Sequence, residues 1–287
     1  MDGYHPIGIF DSGYGGLTVF EHIRRLLPGY DYLYLGDNAR APYGARSFEI
    51  VYRFTLQAVR KLFEEGCPLV ILACNTASAK ALRTIQQCDL PLSADPARRV
   101  LGIIRPTVEA LGPLSKTRHI GVAGTAGTVS SGSYSLEIAK LYPDMTVTGE
   151  ACPMWVPLVE NREHDGDGAD YFVRKNLAHL FASDPEIDTL VLGCTHYPLL
   201  EAKIRMFVPE NVTLFFQGPR VAESLKEYLF RHPEMSSRLS ENGSCHFMTT
   251  ESGEKFSEAA SLFLGCSVDA EQVQLTDRQF NRKNNVR

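Results

Sequence analysis

The sequence predicts an α/β protein built from two similar, mostly parallel, three-layer domains that face each other across a cleft. Short apolar runs alternate with amphipathic stretches along most of the 287 residues, which is typical of parallel strands covered by helices on both faces. The segment IGIFDSGYGG from Ile7 resembles IGVAGTAGTV from Ile120. LVILACNTAS from Leu69 resembles LVLGCTHYPL from Leu190 in the same way, which indicates two related halves.

The first third of the chain contains three predicted strands and three predicted helices. The strands are expected at 7–10, 30–37 and 68–74, and the helices at 17–27, 47–66 and 76–88. The glycines between positions 13 and 16 predict a tight turn after the first strand. Gly66 is expected to end the long helix, because glycine is common just past a helix C-terminus.

The alternation continues to the end of the chain. Strands are expected at 99–104, 119–125, 145–152, 189–194, 212–218 and 245–250, and helices at 131–143, 167–182, 197–209, 219–231 and 254–265. The polar and basic stretch LTDRQFNRKNNVR predicts a tail. The internal resemblance places the join between the halves near 101–106, and leaves open which half the chain after residue 217 belongs to.

Charge and cysteine content exclude several classes of protein. The formal net charge of −5 argues against a nucleic-acid partner, and no apolar run is long enough to span a bilayer. The N-terminus lacks the features of a signal peptide. The seven scattered cysteines include no CxxC pair, so we expect free thiols in a reducing, cytoplasmic setting and no metal site.

Polar residues follow the predicted strands where a ligand of an open α/β sheet binds. These positions are Asp11-Ser12, Asp37-Asn38, Cys74-Asn75-Thr76 and Cys194-Thr195-His196. Each of the two cysteines precedes a predicted helix N-terminus, which is expected to lower the thiol pKa. The same backbone N–H groups could instead hold a substrate carboxylate.

Two thiols, each at the end of an apolar strand in its own half of the chain, fit a reaction that removes a proton from one face of a carbon and returns a proton to the other face. Racemisation of an amino acid is such a reaction. Asp11 could accept a proton from Cys74 or orient it, and His196 could do the same for Cys194. The remaining cysteines are expected to be buried small side chains without a catalytic role. The turn DSGYGG lacks both the GxGxxG pattern and the lysine of a phosphate-binding loop, which disfavours NAD or ATP.

At these residues the chain resembles the glutamate racemases, cofactor-independent enzymes of the aspartate/glutamate racemase superfamily. The resemblance extends from IGIFDSGYGG through DNARAPYG, LACNTASA, GTAGTVSSGSY, ACPMWVPLVE and LVLGCTHYPLL to about residue 217. DNARAPYG and CTHYPLL are similar to the glutamate branch. The resemblance implies racemisation of glutamate, with D-glutamate supplied for peptidoglycan, no cofactor and no metal. Whether the protein forms a homodimer is left open.

The resemblance also implies roles for individual residues. Cys74 and Cys194 would be the acid–base catalysts, the first acting on D-glutamate and the second on L-glutamate, assisted by Asp11, His196 and Glu160. Substrate contacts would fall on Asp11, Ser12, Tyr43, Gly44, Asn75, Thr76, Thr195 and His196. The implied domains are 1–100 together with 218–287, and 101–217.

Three other kinds of function remain open: a related enzyme on the same fold, a binding protein and a thiol hydrolase. An aspartate or hydantoin racemase would use the same two thiols, whereas a decarboxylase on the same fold needs only one of them. A two-lobed binding protein without catalysis would tolerate replacement of both cysteines by serine. A thiol hydrolase would leave the second cysteine without a role.

Overall fold

The computed structural model describes residues 3–276, which form two parallel sheets. The strands are β1 (Ile7–Asp11), β2 (Tyr32–Gly36), β3 (Leu69–Leu72), β4 (Arg99–Gly102), β5 (His119–Gly124), β6 (Thr146–Ala151), β7 (Thr189–Gly193), β8 (Thr213–Phe215), β9 (Cys245–Thr249) and β10 (Ala270–Gln272). The larger sheet has the order β10-β9-β2-β1-β3-β4 and the smaller one β6-β5-β7-β8. All neighbouring strands run parallel, which confirms the predicted class.

Helices cover both faces of each sheet. They are α1 (Gly16–Leu26), α2 (Phe48–Glu64), α3 (Asn75–Lys80), α4 (Leu82–Thr84), α5 (Ile104–Glu109), α6 (Ala126–Ser130), α7 (Ser133–Leu141), α8 (Trp155–Glu160), α9 (Asp167–Ser183), α10 (Glu201–Phe207), α11 (Gln217–Arg231), α12 (Pro233–Ser236) and α13 (Gly253–Leu264). Buried apolar side chains of α1, α11 and α13 fill one face of the larger sheet, and those of α2 fill the other. The smaller sheet is covered by α8, α9 and α10 on one face and by α5 and α7 on the other.

The backbone passes between the two sheets twice. It leaves the larger sheet after β4 and enters the smaller one at β5, with α5 between them. After β8 it returns through α11, and β9 and β10 then extend the larger sheet. The boundaries 1–100 with 218–287, and 101–217, stay a proposal. Within residues 3–276 no helix is long and apolar enough to cross a membrane.

Two predicted helices are interrupted. The helix expected at 76–88 is divided, because the fully buried Ala81 has a φ of −117° and a π-helical turn, Ile85–Asp89, follows α4. The helix expected at 131–143 begins only at Ser133. Gly132 before it has a φ of 65°, a left-handed conformation that glycine adopts without steric cost and that separates α6 from α7.

Several boundaries differ from the prediction. The strand expected at 99–104 ends at Gly102, and the one expected at 212–218 covers only Thr213–Phe215. Tyr197–Leu200 is a 3-10 helix rather than the first turn of an α-helix. The helix α8 and the strand β10 were not predicted, since both are too short to show a clear period. Of the predicted tail, residues 277–287 lie outside the described residues.

Candidate active site

One cavity between the two sheets brings together every residue for which the resemblance implied a role. Asp37 and Asn38, which were also expected at this edge, do not line it. It lies at the carboxyl ends of β1, β3 and β7, where ligands of open parallel sheets bind. The residues that line it are Asp11, Ser12, Ala41, Pro42, Tyr43, Gly44, Cys74, Asn75, Thr76, Thr125, Val156, Glu160, Cys194, Thr195 and His196. Both thiols therefore open into the same space, one from each half of the chain.

Cys74 is placed by the start of α3, of which it is the N-cap. The backbone N–H of Ala77 donates to its Sγ at 3.4 Å, and the Sγ itself donates to Ser12 Oγ at 3.3 Å. The side chain is almost completely buried. The strand-to-helix junction and the neighbouring β1 loop thus hold the thiol in a defined position.

The expectation of a lowered thiol pKa is wrong for Cys74. Burial, and then the negative charge of Asp11, raise the pKa of Cys74 to about 12. The hydrogen bonds with Ser12 and Ala77 act in the opposite direction but are outweighed. A short helix such as α3 compensates little of the cost of removing a thiolate from water.

Cys194 is positioned differently. Its Sγ lies 3.7 Å from Nδ1 of His196, and the next helix begins only at Tyr197. This is where the helix was expected, although its first four residues form a 3-10 helix. The nearest polar partner of the thiol is the imidazole. The other ring nitrogen, Nε2, lies 3.0 Å from Oε1 of Glu160 on α8. The three residues form a line of thiol, imidazole and carboxylate.

The surroundings of His196 favour the charged form of its imidazole. Burial by itself lowers the pKa of His196, but hydrogen bonds with Cys194 and Glu160 raise it, and the resulting pKa is about 10. A protonated imidazole can donate from both nitrogens, to the thiol sulfur and to the carboxylate. A positive charge beside a thiol favours the thiolate, the form that removes protons.

Asp11 ends β1 and is buried beneath the cavity. Its Oδ2 accepts a hydrogen bond of 2.8 Å from the backbone N–H of Gly13. Burial raises the pKa of Asp11, although the positive charge of His196 lowers it in part. A raised pKa makes the carboxylate a stronger base, which favours proton exchange with a neighbouring group.

Tyr43 and Gly44 reach the cavity on the loop between β2 and α2. The buried hydroxyl of Tyr43 donates to Asp37, which also pairs with Arg40 at 2.8 Å. The carbonyl of Gly44 accepts from the backbone N–H of Gly127 at 2.7 Å. Asp37 therefore holds this loop in place, and the loop contacts the other half of the molecule.

Thr125 is a cavity residue that the sequence analysis missed. It caps α6 with a hydrogen bond from the Thr128 N–H, and its Oγ1 lies 2.9 Å from Oγ1 of Thr76 across the cleft. The internal resemblance contained the signal, because IGVAGT aligned with IGIFDS sets Thr125 against Ser12. Among the described residues there is no cluster of three His, Cys, Asp or Glu side chains that could hold a metal ion.

Comparison with known proteins agrees with this arrangement. The sequence profile of the Asp/Glu/hydantoin racemase family matches residues 7–214. The chain belongs to this family. It is therefore a racemase, an enzyme of the isomerase class, as the motifs suggested.

Individual relatives resemble the chain over most of its length. A glutamate racemase of Shouchella clausii is 39% identical over 92% of this chain and 92% of its own. The crystal structure of a glutamate racemase isoform of Bacillus anthracis has a TM-score of 0.85 at 37% identity, covering 94% of this chain and 98% of its own. A glutamate racemase of Francisella tularensis, solved in complex with D-glutamate, has a TM-score of 0.84 at 30% identity, covering 96% and 99%.

Proposed function

We propose that the protein interconverts L-glutamate and D-glutamate by a two-thiol acid–base mechanism that needs no cofactor. The observation that carries this proposal is that Cys74 and Cys194 line one cavity from opposite halves of the chain. A single nucleophile would explain only one of them. The names of the relatives, and the D-glutamate bound by the Francisella tularensis enzyme, support glutamate as the substrate.

The reaction conserves protons within the site. The thiolate on one face takes the α-proton, so that an S–H bond forms as the Cα–H bond breaks. The thiol on the other face then gives its proton to the carbanion, and the new Cα–H bond has the opposite configuration. Each turnover leaves the thiolate on the other cysteine. We assign proton removal from D-glutamate to Cys74 and from L-glutamate to Cys194.

The two thiols have different neighbours, which support a different mechanism of deprotonation for each cysteine. Beside Cys194, the charged His196 stabilises a thiolate, and Glu160 keeps the imidazole protonated and oriented. Beside Cys74, the high thiol pKa calls for a base, and Asp11 is the carboxyl group whose charge acts on it. We therefore infer that Asp11 assists Cys74, and that His196 with Glu160 assists Cys194.

Substrate contacts are proposed for the polar lining of the cavity, from Ser12, Tyr43, Gly44, Asn75, Thr76 and Thr195. The cavity measures about 30 Å³, which is room for only about two or three water molecules, since each needs about 10–15 Å³ of such space. Glutamate does not fit into this space. We therefore infer that the two halves move apart to admit substrate and that the structure represents the closed arrangement.

The cellular role follows from the product. D-glutamate is a component of peptidoglycan, and we propose that the protein supplies it in the cytoplasm. The seven cysteines are free where the structure describes them, and this fits a reducing compartment.

The test is proton exchange with solvent. In deuterium oxide, with D-glutamate and no cofactor, loss of the circular dichroism signal should accompany deuterium incorporation at the α-carbon, detected by NMR. Cys74→Ser and Cys194→Ser should each lose racemisation by at least about 10³-fold, because a serine hydroxyl is a far weaker acid than a thiol. Cys67→Ser, at a buried thiol outside the cavity, is the matched control and should stay active.

Near wild-type turnover in both cysteine variants would refute the two-thiol mechanism. If wild-type protein leaves glutamate unchanged, the same assay with aspartate tests the other racemase activity. Binding of glutamate without exchange would indicate a binding protein instead.

A further inference from the structure

A buried hydrogen-bond network joins the cavity to the two places where the backbone passes between the sheets. It consists of the side chains of Asn75, Thr107, Tyr134 and Gln217. Thr107 lies on α5, in the first passage, and Gln217 is the first residue of α11, in the second. None of the four residues is more than 4% exposed. The network is thus located where any movement of one half against the other must be accommodated.

The hydrogen-bond directions fix the orientation of the Gln217 amide. Its Nε2 donates to Thr107 Oγ1 and to the Tyr134 hydroxyl oxygen, both at 2.8 Å. Its Oε1 accepts from Asn75 Nδ2 at 2.7 Å. Thr107 gives its own hydroxyl hydrogen to the Ile103 carbonyl, and Tyr134 gives its hydrogen to Asn75 Oδ1 at 2.7 Å. Both hydroxyl oxygens are therefore left as acceptors, and the Gln217 amide nitrogen donates to each of them.

The same network determines how Asn75 is presented to the cavity. Asn75 directly follows Cys74 and lines the cavity. Its Nδ2 is bound to Gln217 and its Oδ1 to Tyr134, so both ends of the amide are held. Tyr134 belongs to the other half of the chain, on α7. The orientation of Asn75 therefore depends on the closed arrangement of the two halves.

We propose that Gln217 is a positioning residue for the racemase reaction, which orients Asn75 beside Cys74 when the two halves close. This inference rests on the proposed function. Gln217 does not line the cavity, so it acts through Asn75 rather than on the substrate. An amide that rotates freely would hold the substrate less well in the orientation that proton transfer requires.

The first test is Gln217→Met, which keeps the length of the side chain and removes the amide. Misplacing the substrate should reduce kcat/KM for glutamate by about 10- to 100-fold, with a rise in KM. Gln86→Met is the matched control, because the Gln86 Nε2 donates to the Val100 carbonyl at 2.8 Å, away from the cavity. Because Gln86 is exposed, this variant should lose less stability than Gln217→Met, and it should leave KM unchanged.

A second variant, Gln217→Glu, separates positioning from a purely structural role. The ionised carboxylate cannot donate to Thr107 or Tyr134, whereas the protonated acid can donate one hydrogen bond. Burial raises the pKa of such a carboxyl, so the activity of the variant relative to wild type should recover as pH falls from about 9 to about 6. A structural role alone would change only the fraction of folded protein with pH, and the activity per folded molecule, relative to wild type, would stay constant.

The outcomes distinguish this inference from the proposed function. If the wild type does not racemise glutamate, the proposed function fails. If the wild type is active and Gln217→Met has an unchanged kcat/KM, the positioning role is refuted while the racemase activity stands. If Gln217→Met does not fold, the activity of Gln217→Glu relative to wild type is measured across the same pH range. If this relative activity does not change with pH, the positioning role is refuted.

Discussion

Replacing Glu160 by glutamine should lower the pKa of His196 while leaving the shape of the site intact. Glutamine can still accept from Nε2 of His196 through its oxygen, at the present distance of 3.0 Å, but carries no charge. A hydrogen bond to a charged group contributes about 1.5–3 kcal/mol, which corresponds to about 1–2 pKa units. The pKa of His196, now about 10, should therefore fall to about 8–9.

The change should be visible in the pH dependence of the reaction from L-glutamate. Because the pKa of His196 is raised in the folded protein, its charged form is present at low pH and is lost as pH rises through about 10. The alkaline decline of kcat/KM should move down by about 1–2 pH units in Glu160→Gln. The assay is circular dichroism across the pH range, together with NMR titration of the His196 ring.

Two results would refute this reasoning. One is an alkaline decline at the same pH in both proteins. The other is an NMR titration of His196 that does not change with the variant. Asp170→Asn is a suitable control, because Asp170 on α9 pairs with Lys203 and does not line the cavity. It should leave the pH profile unchanged.

Three further changes have expected outcomes. Asp31→Asn should reduce the free energy of unfolding at pH 7 by about 1.5–3 kcal/mol, since the carboxylate accepts hydrogen bonds from the loop at 240–244 that lower its pKa. The deficit should shrink as pH falls below about 4, because the unfolded chain then binds a proton that the folded carboxylate, with its lowered pKa, does not bind. Gly15→Ala should reduce kcat/KM by about 100-fold, because the new methyl group would overlap the ring of His196. Thr125→Val should lower stability by about 1 kcal/mol through loss of the α6 cap, and weaken closure of the cleft.

Chemical denaturation followed at several pH values measures the first of these changes, and a pH-independent deficit would contradict the role of the charge. For Gly15→Ala, wild-type kinetics in a folded variant would show that the cavity opens enough to accept the methyl group. For Thr125→Val, the measurements are the unfolding free energy and KM for glutamate. An unchanged KM would mean that the contact with Thr76 does not contribute to closure.

Much of the site was readable from the sequence, because its residues lie in short segments at the ends of strands. Asp11, Cys74 and Cys194 each follow an apolar run, and the order of elements brings such positions to one edge of a parallel sheet. The repeated pattern also indicated that one thiol comes from each half. Helix interruptions at Ala81 and Gly132 were not readable, since burial and one backbone angle decided them.

The sequence by itself determined the α/β class, the two related halves and the pair of cysteines, because periodicity and strand-end residues are local properties of the chain. The tertiary structure alone decided the chemistry around those cysteines. Packing brings Glu160 into hydrogen-bond contact with His196. Burial beside Asp11 raises the pKa of Cys74. A hydrogen bond also connects Gln217 to Asn75. Gln217 and Asn75 are 142 positions apart. Contacts and desolvation of this kind arise only when distant segments pack together, so no local pattern carries them.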